Sequence, residues 1–138
     1  MSTFVRLAER GEPTKYVPTS QVVFAERRSS DGIVNVGYLV GPGQVEEFLA
    51  SRASATKVWS ELRDSGAFAE FSGVSGGLAD KEDLLVNPIH IFNVSAEESR
   101  RGLIAVTGRA YFGVNRLSSA IATLEAHMGA DKPPKTLE

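Results

Sequence analysis

An α+β fold, with an antiparallel sheet and helices on one side, is what the sequence predicts, and three observations carry that prediction. The run Tyr16-Val-Pro-Thr-Ser-Gln-Val-Val-Phe-Ala-Glu26 is echoed by Leu85-Val-Asn-Pro-Ile-His-Ile-Phe-Asn-Val-Ser95. Each run is followed by a polar turn ending in glycine (Gly32, Gly102) and then by an apolar run, Ile33 to Val40 or Leu103 to Ala110. An amphipathic helical pattern closes each unit. An internal repeat predicts architecture before any residue predicts chemistry. Two β-hairpin-plus-helix repeats, about 4–66 and 67–128, are therefore expected to pack with pseudo-twofold symmetry. They would form one domain over 1–128, followed by a flexible C-terminal tail over 129–138. The plainer alternative is that any two strand-turn-strand-helix units share this order without duplication.

Each element has its own signal. Phe4 to Ala8 reads as a first strand, and Glu9 to Pro13 as its turn. Lys15 to Arg27 is one long strand or two joined at Pro18, because proline cannot donate a ladder hydrogen bond. Asp31-Gly32 suits a hairpin, and the β-branched run from Ile33 suits the returning strand. Gly41-Pro42-Gly43 stops that strand. A helix is expected from about Gln44, since Val45, Phe48, Leu49, Ala53, Trp59 and Leu62 fall near helical spacing. Gly66 ends it.

Ala67 to Phe71 is a candidate short strand, and glycine-rich Ser72 to Asp83 a surface loop. Leu84 to Ser95 resumes the strand pattern, interrupted at Asn87-Pro88. Ala96 to Gly102 forms the second hairpin loop and Leu103 to Phe112 the matching strand. The last helix is the clearest element, with Leu117, Ile121, Leu124 and Met128 on one stripe.

Composition excludes several functions. The chain has 138 residues, the usual size of one domain, and no cysteine. Disulfides, thiolate metal sites and a cysteine nucleophile are thereby excluded. A net charge of −2 argues against a generic polyanion binder while leaving room for a local basic patch. The N-terminus lacks the apolar core of a signal peptide, and no apolar run approaches a membrane span. A cytoplasmic protein without membrane insertion is the expectation.

No motif assembles a catalytic centre. Ser54-Ala-Thr-Lys57 matches the Ser-x-x-Lys nucleophile motif but has no partner motifs. Gly73-Val-Ser-Gly76-Gly77 lacks the lysine of a phosphate loop. Asp80, Glu82 and Asp83 do not have the spacing of an EF-hand. His90 and His127 lie on different elements, which excludes a paired-histidine metal motif. His90 alternates with Ile89 and Ile91, so it reads as a surface histidine on the sheet and a weak binding candidate.

Arg27-Arg28 and Arg100-Arg101 are the more informative pairs. Both sit in the hairpin loop of their repeat, where two arginine-bearing loops could straddle a nucleic-acid backbone or clamp an acidic partner. Ordinary solvated charge, neutralised by Glu26, Asp31, Glu97 and Glu98, is the plainer reading.

Phe4-Val-Arg-Leu, Gly11-Glu-Pro and the Tyr16 to Glu26 run resemble the small FlbD/SwrD-type flagellar and swarming proteins. Val86-Asn-Pro-Ile-His-Ile91 fits the turn of that family better than its counterpart at Val17. The same pattern is similar to the β-rich LytTR DNA-binding domain. The resemblance implies a regulatory, non-catalytic role and transfers no site residues. A non-enzymatic adaptor acting through a protein partner or a homodimer, with no cofactor and no metal, is the first expectation. A DNA-binding regulator using the arginine loops is the alternative, and a small ligand-binding domain the second alternative.

Overall fold

Turn chemistry divides the chain more finely than hydrophobic runs do. The computed structural model describes residues 4–75, 82–96, 102–114 and 116–128. They form ten strands and two α-helices. A hairpin of β1 (Phe4–Leu7) and β2 (Lys15–Pro18) opens the fold. A 3₁₀ turn at Thr19–Gln21 follows Pro18, so of the two readings of Lys15 to Arg27 the second holds, two strands parted where proline ends the ladder. Then come β3 (Val22–Arg28), β4 (Val34–Gly41) and β5 (Gln44–Ala50). After helix α1 (Arg52–Asp64) come β6 (Ala69–Val74) and β7 (Glu82–Val86). A second 3₁₀ turn, Pro88–His90, leads to β8 (Ile91–Ala96), β9 (Gly102–Val106), β10 (Arg109–Val114) and α2 (Leu117–Met128).

Three expected elements are corrected. The helix expected from Gln44 begins only at Arg52, and Gln44 to Ala50 is a strand paired along β4. Pro42-Gly43, with Gly43 at φ 68°, is a tight turn closed by Gly41 against Gln44. Proline followed by a positive-φ glycine is the type II signature. The expected strand from Leu103 to Phe112 is two strands, folded back at Thr107-Gly108 where Gly108 has φ 79°. The expected loop Ser72 to Asp83 shrinks from both ends, because Ser72 to Val74 extends β6 and Glu82-Asp83 begins β7. Its middle, most of the second hairpin loop, and the tail over 129–138 lie outside the described residues.

Among the described residues all pairing is antiparallel. The sheets run β5-β4-β3-β7-β6, β10-β9-β8 and β1-β2. Strand alternation sends neighbouring residues to two cores. Ala25 and Leu85 enter one, with Trp59, Leu62 and the β1-β2 hairpin; Phe24, Leu84 and Val86 enter the other, with Ile104, Phe112, Ala120 and Leu124. Helix α1 thus covers one face of the central sheet, while α2 and the three-stranded sheet cover the other, and the expected helices on one side are corrected. Among the described side chains of α2 the buried ones are Ala120 and Leu124, with Ile121 exposed, so the packed stripe is offset from the predicted one; the Met128 side chain lies outside the described ones. The element order strand, 3₁₀ turn, three strands recurs in both halves, yet β2 pairs with β1 alone whereas β7 lies between β3 and β6.

A carboxylate from outside α1 stabilises its first turn. That turn carries no acidic residue, and Glu9 accepts hydrogen bonds from Ser51 N (2.9 Å) and Ser54 Oγ (2.5 Å). Negative charge at a helix N-terminus is favourable. The bonds from Ser54 and Ser51 hold the Glu9 carboxyl below its ordinary value of 4.5. A carboxyl with a depressed folded value stabilises the fold above its unfolded value, and that contribution fades as pH falls through the folded value. Glu9→Gln is therefore expected to flatten the acid limb of stability below 4.5, read as urea midpoints against pH. An unchanged acid limb would refute this.

Candidate functional site

Strand ends meet along one rim of the molecule. In the central sheet Ala50 pairs with Val34, Val34 with Arg27, and Arg27 with Asp83. Next to them Arg28 pairs with Glu82, and Glu82 with Val74. The rim continues into the other sheet, because Ser75 and Gly113 exchange backbone hydrogen bonds of 2.9 and 3.1 Å. Val114 then pairs with Gly102 at the start of β9. One edge thus gathers the hairpin carrying Arg27 and Arg28, the flanks of the segment between β6 and β7, and the start of α2.

Arg27 is held from two sides. Its Nε and Nη2 donate to Asp83 Oδ2 at 3.1 and 2.6 Å, and its guanidinium lies 4.4 Å from the centroid of the Trp59 ring. Carboxylate and aromatic face together fix its plane. Arg28 makes a two-pronged pair with Asp31, Nε to Oδ1 at 3.1 Å and Nη2 to Oδ2 at 2.8 Å. Asp31 Oδ1 also accepts from Ile33 N, so the pair braces the hairpin loop that turns through Gly32 at φ 76°. The hydrogen bond between them raises the Arg28 guanidinium and lowers the Asp31 carboxyl from their ordinary values. Both arginines are about one-third exposed, which leaves each with outward surface and a fixed position. A depression of about 310 Å³ lies between them, lined also by Ser29, Gly32, Thr56 and Asp83.

Arg116 belongs to this rim, although no motif marks it in the sequence. It is exposed, and its carbonyl accepts the first bond of α2 from Ala120 N at 3.0 Å. Gly102 packs against it so closely that a Cβ there would lie 3.2 Å from Arg116 O. Arg100 and Arg101 precede Gly102 in the chain and lie outside the described residues. Their attachment point, not their side chains, is what the fold brings beside Arg116.

His90 is at the opposite end, where β7 leaves the central sheet. Its Nε2 donates to Ser20 O at 2.8 Å, joining the two 3₁₀ turns. Asn87 adds a bond from Nδ2 to Val22 O at 3.0 Å. The sequence-predicted site residues therefore separate: Arg27 and Arg28 share the rim, and His90 does not reach it. Among the described residues, no group of three or more His, Asp or Glu side chains is placed to hold a metal, and no helix is long and apolar enough to cross a membrane.

No family model matches the chain, and no curated protein matches it. The fold itself does have a counterpart. The expectation of an adaptor as the first reading of function is overturned by that counterpart, which carries a different function in its own description. The chain is similar in structure to the LytTr DNA-binding domain of a Bacillus cereus protein described as a methyl-accepting/DNA response regulator, with a TM-score of 0.54, 16% identity, and coverage of 94% of this chain and 99% of that one. At that identity the likeness concerns the fold, and the LytTR-like β-rich fold expected from the sequence is the fold found.

Proposed function

We propose that this chain is a non-catalytic domain that binds duplex DNA through its arginine-bearing rim. The observation that carries the reading is the likeness, over nearly the whole of both chains, to a domain described as DNA-binding. The rim supports it chemically. Arg28 and Arg116 are displayed on one edge, and Arg100-Arg101 join the chain beside it. With a net charge of −2, binding must come from such a local patch, since bulk attraction to a polyanion is absent. Arginine suits phosphate because its planar fork donates two parallel hydrogen bonds.

The test is fluorescence anisotropy of labelled duplex DNA titrated with the protein at several salt concentrations. Binding is expected, with log K falling linearly in log salt. Arg116→Ala combined with Arg100→Ala and Arg101→Ala is expected to weaken binding and to make that slope shallower by roughly 0.9 for each phosphate no longer neutralised. Arg27→Ala is a poor probe, since it also removes the Trp59 and Asp83 contacts. Absent binding, or binding indifferent to salt and to the triple substitution, would refute the reading.

A further inference from the structure

Strand β8 is the outer strand of the three-stranded sheet, and among the described residues nothing pairs with its free side. Its sequence, Ile91-Phe-Asn-Val-Ser-Ala96, contains no charge and no proline. Such an edge presents unpaired backbone N–H and C=O groups as a template for another strand, and natural edges are usually blunted by charge or proline. The outer strands of the central sheet are guarded. Strand β5 places adjacent Glu46 and Glu47 mid-strand, so a second copy laid against it would oppose like charges. The end of β6 is covered by β10 through the Ser75–Gly113 bridge. Of the two most exposed large apolar side chains among the described residues, Phe92 at 73% lies at the start of β8 and Ile89 at 71% in the 3₁₀ turn that leads into it.

We infer that β8 is a self-pairing edge, through which two copies of this chain join antiparallel about a twofold axis into a continuous six-stranded sheet. A second copy is the occupant the chemistry favours. A neutral strand meets no like charge when opposed to itself, and the antiparallel two-fold lets one self-complementary surface bury Phe92 from both copies. The geometry has a consequence for the rim. Strand β8 runs from the His90 end towards the rim end at Ala96, beside Gly102. Antiparallel pairing therefore sets the two arginine rims at opposite ends of the joined sheet, facing away from each other. Such a dimer would hold two duplex segments rather than one. Self-association itself stands independently of DNA binding.

Sedimentation equilibrium of the full chain without DNA tests it, from micromolar to submillimolar concentration. A monomer–dimer equilibrium is expected. Phe92→Lys and, separately, Ser95→Lys are each expected to raise the dissociation constant about tenfold or more, with far-ultraviolet circular dichroism unchanged. The chain lacks cysteine, so a nitroxide on Asn93→Cys reports one position. In the dimer it should show an interspin distance short enough for neighbouring strands. A chain that stays monomeric over the whole range overturns the inference. So does a dimer that survives both lysine substitutions, or one that gives a long interspin distance. Loss of DNA binding with an intact dimer would sink the DNA reading alone.

Discussion

Trp59→Ala is expected to lower the unfolding free energy by about 3–5 kcal/mol, the usual loss for truncating a buried tryptophan. Domains of this kind are stable by only about 5–15 kcal/mol, so the variant would sit near the edge of folding. Trp59 is 1% exposed and is the largest of the fully buried side chains described. It fills the core between α1 and the central sheet together with Leu62 and Val58. It also supports the rim from beneath, because the Arg27 guanidinium lies over its ring. The packing term far exceeds the arginine term. Arg27→Ala removes a part-exposed ion pair and a ring contact, together worth about 1 kcal/mol. Trp59→Phe should cost less than Trp59→Ala. Trp59 Nε1 has no hydrogen-bond partner among the described residues, so phenylalanine sacrifices no polar contact. Guanidinium midpoints at an unchanged m value would check the order. A loss below about 1 kcal/mol for Trp59→Ala would contradict the packing account.

Local chemistry made part of this structure legible in the sequence. Asp31-Gly32 marked the hairpin that carries Arg28, and Pro18 and Asn87-Pro88 marked the two strand breaks. Each signal lies within a few residues of what it controls. The strand β5 was hidden because Val45, Phe48 and Leu49 satisfy helical spacing, while the deciding facts are the Pro42-Gly43 turn and the partner strand. A short apolar run cannot choose between the two periods by itself. The site was less legible for the same reason. Arg27 meets Asp83 across 56 positions, and Arg116 reaches the rim only because Gly102 and Ser75 dock the second sheet there. His90 looked like a free surface group because its partner, Ser20 O, is 70 positions away. Pairing between distant strands is set by the whole fold, and no window of the sequence contains it.

Gly37→Val is expected to destabilise the chain by about 2 kcal/mol or more, although valine is the better strand former. Gly37 has none of the positive φ values found at the turn glycines, so the backbone would accept a side chain. The obstruction is the Phe24 ring, whose Cε2, Cζ and Cδ2 occupy the space a Cβ would take. That ring is fully buried and can yield only by pressing on Phe112, which it meets edge to face at 5.2 Å and 63°. An intrinsic strand preference of at most about 1 kcal/mol is outweighed by overpacking. The strain has a direction. Phe24 belongs to the central sheet and Phe112 to β10, and Gly113 beside Phe112 makes the bridge to Ser75 that joins the two sheets at the rim. Displacing the ring towards Phe112 should loosen that bridge before the rest of the fold. Hydrogen exchange at the Ser75 and Gly113 amides should therefore quicken in Gly37→Val more than exchange within β3 and β4. Phe24→Leu, harmful alone because it leaves a void, should relieve part of the cost when combined with Gly37→Val. A double-mutant cycle measures that coupling directly. Additive effects of the two substitutions would mean that ring and glycine do not share this space.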